Sequence, residues 1–178
     1  MKVKIFAFGI VFLLLLVGCN NEKEFSEILQ DERIQLLIHQ EKVDNGVVLF
    51  YVPNTTGDGE AIEARFIEKT LLGWEASLLH RGGGSSLLAI PTIFLPKMGE
   101  KSLLFGFHPN NAIDEIKVEY KHGGVLKEVE ANTIENKERH IWFAFVEQPK
   151  VKTIYTIKGY FNGELIETVK EESIGISN

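Results

Sequence analysis

The run Val151-Lys152-Thr153-Ile154-Tyr155-Thr156-Ile157-Lys158-Gly159-Tyr160-Phe161 meets Asn162-Gly163 and returns through Glu164-Leu165-Ile166-Glu167-Thr168-Val169. β-Branched and aromatic residues favour a pleated strand. Asn-Gly between two alternating runs is the strongest short-range hairpin signal, because both residues tolerate positive φ. Just upstream, His140 to Val146 reads HIWFAFV, apolar on both faces, and is expected to be the most central strand. Ile116, Val118 and Tyr120 alternate with Lys117, Glu119 and Lys121, and His122-Gly123-Gly124 turns that strand into Leu126 to Ile134. The last third of the chain is thus strand, turn, strand.

The same reading extends toward the N-terminus. Val47 to Val52 follows the turn Asp44-Asn45-Gly46. Ile62, Ala64 and Phe66 alternate with Glu63 and Arg65, giving one apolar and one wet face. Trp74, Ala76 and Leu78 alternate with Glu75, Ser77 and Leu79. Leu87 to Leu95 is an apolar run broken by Pro91, hence an edge or irregular strand, and Ser102 to His108 is a further short candidate. Phe25, Ile28 and Leu29 recur at helical spacing, so a short helix is expected within Glu24 to Arg33. The expected fold is mainly β: an antiparallel sandwich or partly open barrel with one short N-terminal helix. Pro96 to Glu100 is the best internal boundary between an N-terminal β region (34–98) and a C-terminal one (99–178), either a link between two β subdomains or a long crossover within one sandwich. The latter is compatible with an immunoglobulin-like unit, although no Cys…Trp…Cys hallmark exists.

Composition bounds the function. The chain has 178 residues, 19 Lys+Arg against 25 Asp+Glu, one Cys and a formal charge of −6. An acidic balance argues against nucleic acid, whose phosphates need clustered Lys and Arg. One cysteine excludes an intrachain disulfide framework and a Cys-rich zinc site.

The first nineteen residues carry the sharpest signal. Lys2 and Lys4 precede Ile5 to Val17, thirteen uninterrupted apolar residues. As a helix they span about 20 Å, short of the roughly 30 Å hydrocarbon core, but they fit a secretory h-region. Leu16-Val17-Gly18-Cys19 then closes the segment. This stretch resembles the lipobox of bacterial lipoproteins, and with the polar tether and small β domain the chain resembles the extracytoplasmic lipoproteins of Gram-positive bacteria. The resemblance implies that residues 1–18 are removed and that the Cys19 sulfur carries a diacylglyceryl group. Residues 19–33 then form the lipidated cysteine, tether and short helix. Two acyl chains meet the requirement for stable anchoring. Removing Lys2 and Lys4 leaves 17 basic and 25 acidic side chains, a formal −8, so anionic headgroups repel the body face-on.

Candidate chemistry in the mature chain is sparse. His80-Arg81-Gly82-Gly83-Gly84-Ser85-Ser86 is glycine-rich but leads into a strand, so it reads as a turn and not a phosphate cradle. Histidines 39, 80, 108, 122 and 140 show no i, i+4 pair, and no metal ligand set can be named. Asp58 with Glu60, Asp114 with Glu115, and Glu128 with Glu130 read as solvated acids; the last pair would share one strand face at about the spacing of two glycosidase carboxyls, as many solvated strand pairs do. Trp142 is expected in the core, and Trp74 is the better candidate for exposure although core packing is favoured for it too. The expectation is a non-catalytic, lipid-anchored binding module without a cofactor, at the extracytoplasmic face of the membrane. Its partner is an unidentified envelope protein or ligand, recognised by the turns Asn54–Gly59 and His80–Ser86. The alternative is an envelope hydrolase whose site is assembled from separate strands.

Overall fold

The computed structural model describes residues 25–31, 33–54, 62–82, 92–94, 98, 100–108, 113–136 and 139–173. A short helix, α1 (Phe25–Leu29), is followed by twelve strands among these residues: β1 (Ile34–Val43), β2 (Gly46–Pro53), β3 (Ile62–Thr70), β4 (Gly73–Gly82), β5 (Thr92–Phe94), β6 (Lys101–His108), β7 (Glu115–His122), β8 (Val125–Glu130), β9 (Asn132–Asn136), β10 (Arg139–Glu147), β11 (Thr153–Phe161) and β12 (Glu164–Ser173). They form three four-stranded antiparallel sheets, ordered β1-β2-β3-β4, β5-β6-β10-β9 and β12-β11-β7-β8. The expected mainly β, sandwich-like architecture is what the chain adopts.

The sheets stack in layers, as their cores show. Val48, Phe50, Ile62, Ala64 and Phe66 of the N-terminal sheet pack against Leu103, Phe105, Phe107, Ile141 and Phe143 of the middle sheet. The opposite face of the middle sheet offers Leu104, Trp142, Ala144 and Val146 to Ile116, Val118, Tyr120, Tyr155 and Ile157 of the C-terminal sheet. A strand buried on both faces needs apolar residues at consecutive positions, which explains the unbroken run of β10. It pairs over eight residues with β6, from His140↔His108 to Glu147↔Lys101. The outer face of the N-terminal sheet is covered by α1, whose Ile28 joins Val47, Leu49, Tyr51 and Ile67.

From β5 onward, successive pairs of strands alternate between the two sheets: β5 and β6 in the middle sheet, β7 and β8 in the C-terminal one, β9 and β10 back in the middle, and β11 and β12 in the C-terminal sheet. β5 lies before residue 99 yet pairs with β6 through Thr92↔Phe105, Ile93↔Leu104 and Phe94↔Leu103.

The helix lies within the expected stretch and spans five residues, ending where Asp31 donates its N–H to the Ile28 carbonyl and the Ile34 N–H returns to the Asp31 carbonyl. Two details depart from the sequence reading. The expected single strand Leu126–Ile134 is two strands in different sheets: Ala131 donates to the Ile116 carbonyl, and β9 leaves β7 for β10. The expected wet face of β3 is covered, and Glu63 and Arg65 are buried there. Most of the Leu87–Leu95 run, the tether and the segment through Cys19 lie outside the described residues.

Candidate functional site

Two places concentrate side chains of interest. The first lies beneath α1, where the polar residues of β2 and β3 point away from the sheet-to-sheet core. Asp31 sits between two guanidinium groups. Arg33 donates through Nε to Oδ1 at 2.9 Å and through Nη2 to Oδ2 at 2.6 Å, and Arg65 Nη1 donates to Oδ2 at 2.8 Å. The Arg33 backbone N–H adds a bond to Oδ1 at 3.0 Å. On the neighbouring strand, the buried Tyr51 hydroxyl donates to Glu63 Oε2 at 3.1 Å. A cleft of about 350 Å³ borders this cluster, lined by Glu27, Ile28, Asp31, Arg33, Arg65 and Trp74 among others. Among the described residues, the buried Arg65 Nε has no hydrogen-bond partner in this network.

The electrostatics make the cluster a clasp. The Arg33 hydrogen bonds, with Arg65 adding to them against the cost of burial, hold the Asp31 carboxyl far below the usual carboxylate range. Burial, reinforced by the Glu63 carboxylate, pushes the Tyr51 phenol well above its ordinary value. In the other core, burial pushes Tyr155 up to about 12, with a smaller contribution from Tyr120 and an opposing one from Ser173. Asp31 is therefore ionised and both tyrosines neutral throughout the physiological range, so these groups fix structure and do not exchange protons there.

A pH dependence follows. The two phenols keep their protons when folded at pH values where the unfolded chain, with tyrosines near pH 10, loses them. The folded state then binds more protons, and stability falls as pH rises. Above pH 10 the expected loss is about 1.4 kcal/mol per pH unit for each tyrosine, continuing to about pH 12 for Tyr155. Denaturant unfolding followed between pH 8 and 12, with phenolate absorbance recorded in parallel, checks this; a flat stability profile would contradict the burial of both phenols.

The second place is a groove of about 520 Å³ on the C-terminal sheet, lined by Tyr120, Lys121, Leu126, Val151, Ile154 and Thr156 with neighbouring residues. Its origin lies in the register. β11 pairs with β7 from Tyr155↔Tyr120 onward, while Thr153 and Ile154 pair only with β12. The two strands therefore part at the end carrying the Gly123-Gly124 turn. Leu126, Val151 and Ile154 remain 64, 70 and 56% exposed around this opening. Lys121 and Lys152 stand at its rim, the latter paired with Glu172.

The residues singled out from sequence are dispersed. Trp142 is fully buried, and Trp74 is half-buried with its ring 4.9 Å from that of Phe25. Glu128 and Glu130 are exposed on β8, opposite Glu119 and Lys117 in register. His39 on the N-terminal sheet meets Glu41 at 3.0 Å, and His122 on the C-terminal sheet approaches Glu147 at 3.4 Å. The side chains of His80 and His108, together with Asp58, Glu60, residues 55–59 of the first loop and 83–86 of the second, lie outside the described residues. Among the described residues no group of three or more His, Cys, Asp or Glu is placed to hold a metal ion. No helix among them is long and apolar enough to cross a membrane.

Neither the clasp nor the groove was visible as a motif. Asp31 and Arg33 lie in the α1–β1 connection and Arg65 lies on β3, 34 residues from Asp31, and the groove arises from a lost strand pairing. The available signal for the groove was Val151 and Leu126 standing beside turns, where polar residues are the norm. Comparison with family models, curated proteins and solved structures returned no match.

Proposed function

We propose that this chain is a membrane-anchored extracytoplasmic lipoprotein, acylated at Cys19, whose β body is an immunoglobulin-like, non-catalytic binding module. The observation that carries the reading is the placement of the groove. The tether enters at α1, on the outer face of the N-terminal sheet. The groove opens on the C-terminal sheet, beyond the middle layer. With packed sheets about 10 Å apart, an anchored body would hold the groove some 20 Å farther from the tether than the layer under α1. Leu126, Val151 and Ile154 form an apolar centre with charged groups at its edge, the anatomy of a protein interface. The occupant is an apolar side chain of an envelope polypeptide.

The test is made in intact cells. A photo-crosslinking residue at Ile154 is expected to give a discrete adduct that the same probe at Glu128 does not give, and Leu126→Asp is expected to abolish it. Identical adducts from both positions, or none from Ile154, would count decisively against the groove. Anchoring is tested separately. Cys19→Ala is expected to remove all label from a fatty-acid precursor and leave an uncleaved chain, and undiminished label would overturn the lipid assignment.

A further inference from the structure

β3 and β4 are joined by a two-residue turn, Leu71-Leu72, between the paired Thr70 and Gly73. Among the described residues, three other turns of this length connect strands: Asp44-Asn45, Gly123-Gly124 and Asn162-Gly163. Those have the polar or glycine residues that tight turns require. The Leu-Leu turn is held instead by Thr70, whose hydroxyl donates to the Gly73 carbonyl at 2.9 Å and accepts from the Leu72 N–H at 3.2 Å. Gly73 adopts a φ of 112°, open to glycine and strained for other residues. Leu71 is fully exposed and Leu72 is 80% exposed. A lone exposed leucine needs no explanation; two in succession at the tip of a hydrogen-bonded hairpin do.

The surroundings of the tip say what covers it. Trp74, two residues beyond Leu72, lies on the same face as α1 and packs against Phe25. Lys69, its register partner, stands over the indole at 5.8 Å. Phe25 is only six residues after Cys19, so an extended tether reaches at most about 20 Å. Leucines at the apex, a tryptophan behind them and a lysine over its ring follow the polarity of a membrane interface, where indoles sit at headgroup level. Lys42 and Lys69 at this end are accompanied by Asp44 and Glu75, so the contact is apolar rather than electrostatic.

We propose that the Leu71-Leu72 tip inserts into the outer leaflet beside the anchor, giving the domain a second membrane contact and a fixed orientation. The proposal rests on the anchored reading above and adds to it. It also accommodates the acidic body, because a hairpin apex enters the interface without bringing a charged face against the headgroups.

The experiment uses the full anchored chain in zwitterionic phosphatidylcholine vesicles doped with a lipid carrying a quencher near the headgroup. Trp74 is the reporter, and Trp142, fully buried, contributes a constant signal. Leu71→Asn combined with Leu72→Gly gives the tip the composition of the Asn162-Gly163 turn, leaving the core untouched. With each leucine contributing about tenfold, the double substitution lowers the inserted-to-free ratio of the tip about a hundredfold. Trp74 quenching is expected in the unmodified chain and lost in the variant, while both float with the vesicles. Flotation with no Trp74 quenching, or equal quenching in both, overturns the tip contact. Failure of the unmodified chain to float overturns the anchor itself, and the tip contact with it. Lipid-free dimerisation that the double substitution abolishes assigns the leucines to a second copy of this chain and refutes the membrane contact.

Discussion

Trp142→Ala is expected to lower the stability of the fold by about 3–5 kcal/mol, a large share of the 5–15 kcal/mol that domains typically possess. The indole is fully buried in the middle sheet and faces the C-terminal sheet among Leu104, Ile116, Val118 and Tyr155. Directly across the β6–β10 ladder lies Gly106, where an added Cβ would stand 2.8 Å from the indole Nε1. The ring thus occupies the space that a side chain on β6 would otherwise fill. Alanine would leave a cavity between two rigid sheets, neither free to collapse without disturbing the other face of β10, where Ile141 and Phe143 pack. Trp142→Phe should be milder. It removes volume, but it also removes an indole N–H that has no hydrogen-bond partner, and burying such a donor unpaired costs about 1–3 kcal/mol. Urea unfolding followed by circular dichroism decides the matter: an alanine variant within 1 kcal/mol of the parent, by a margin set against the range above, would refute this packing.

The second large effect is expected at the clasp. Asp31→Ala removes the acceptor shared by Arg33 and Arg65, leaving a guanidinium whose side chain is 9% exposed without its counter-charge. Breaking one side of a buried ion pair costs about 3 kcal/mol or more; with a urea dependence near 2 kcal/mol per molar, the midpoint falls by about 1.5 M. Arg65→Met in the Asp31→Ala background should recover much of the loss, because a buried pair can be replaced by apolar residues at little net cost. The pH dependence has a definite sign. Asp31 is depressed when folded, chiefly by Arg33, so its contribution is complete above the unfolded carboxylate value of about 3.9 and declines as pH falls toward the folded value. Asp31→Asn should flatten that part of the acid limb, and an unchanged limb would show that the clasp carries no differential proton binding.

These expectations separate what could be read locally from what could not. Alternation and turn chemistry placed most strands, because both act within a few residues. Asp44-Asn45, Gly123-Gly124 and Asn162-Gly163 each force neighbouring runs to pair. The two-sided apolar run of β10 correctly announced a strand between layers, since only burial on both faces makes consecutive positions apolar. The proposed anchor at Cys19 rests on the Lys2–Cys19 sequence alone, since a segment of that kind is read without reference to any fold.

What the tertiary structure alone decided is which strands meet and which faces are covered. β8 and β9 look continuous in the sequence, yet one residue, Ala131, carries the chain from the C-terminal sheet to the middle one. Glu63 and Arg65 obey the alternation of an exposed face, and α1 with Asp31 and Arg33 turns that face into an interior. The groove exists because β11 and β7 part before their ends. In each case the deciding interaction joins residues far apart along the chain, and a period of two records only that one face differs from the other. It carries no information about what lies against either.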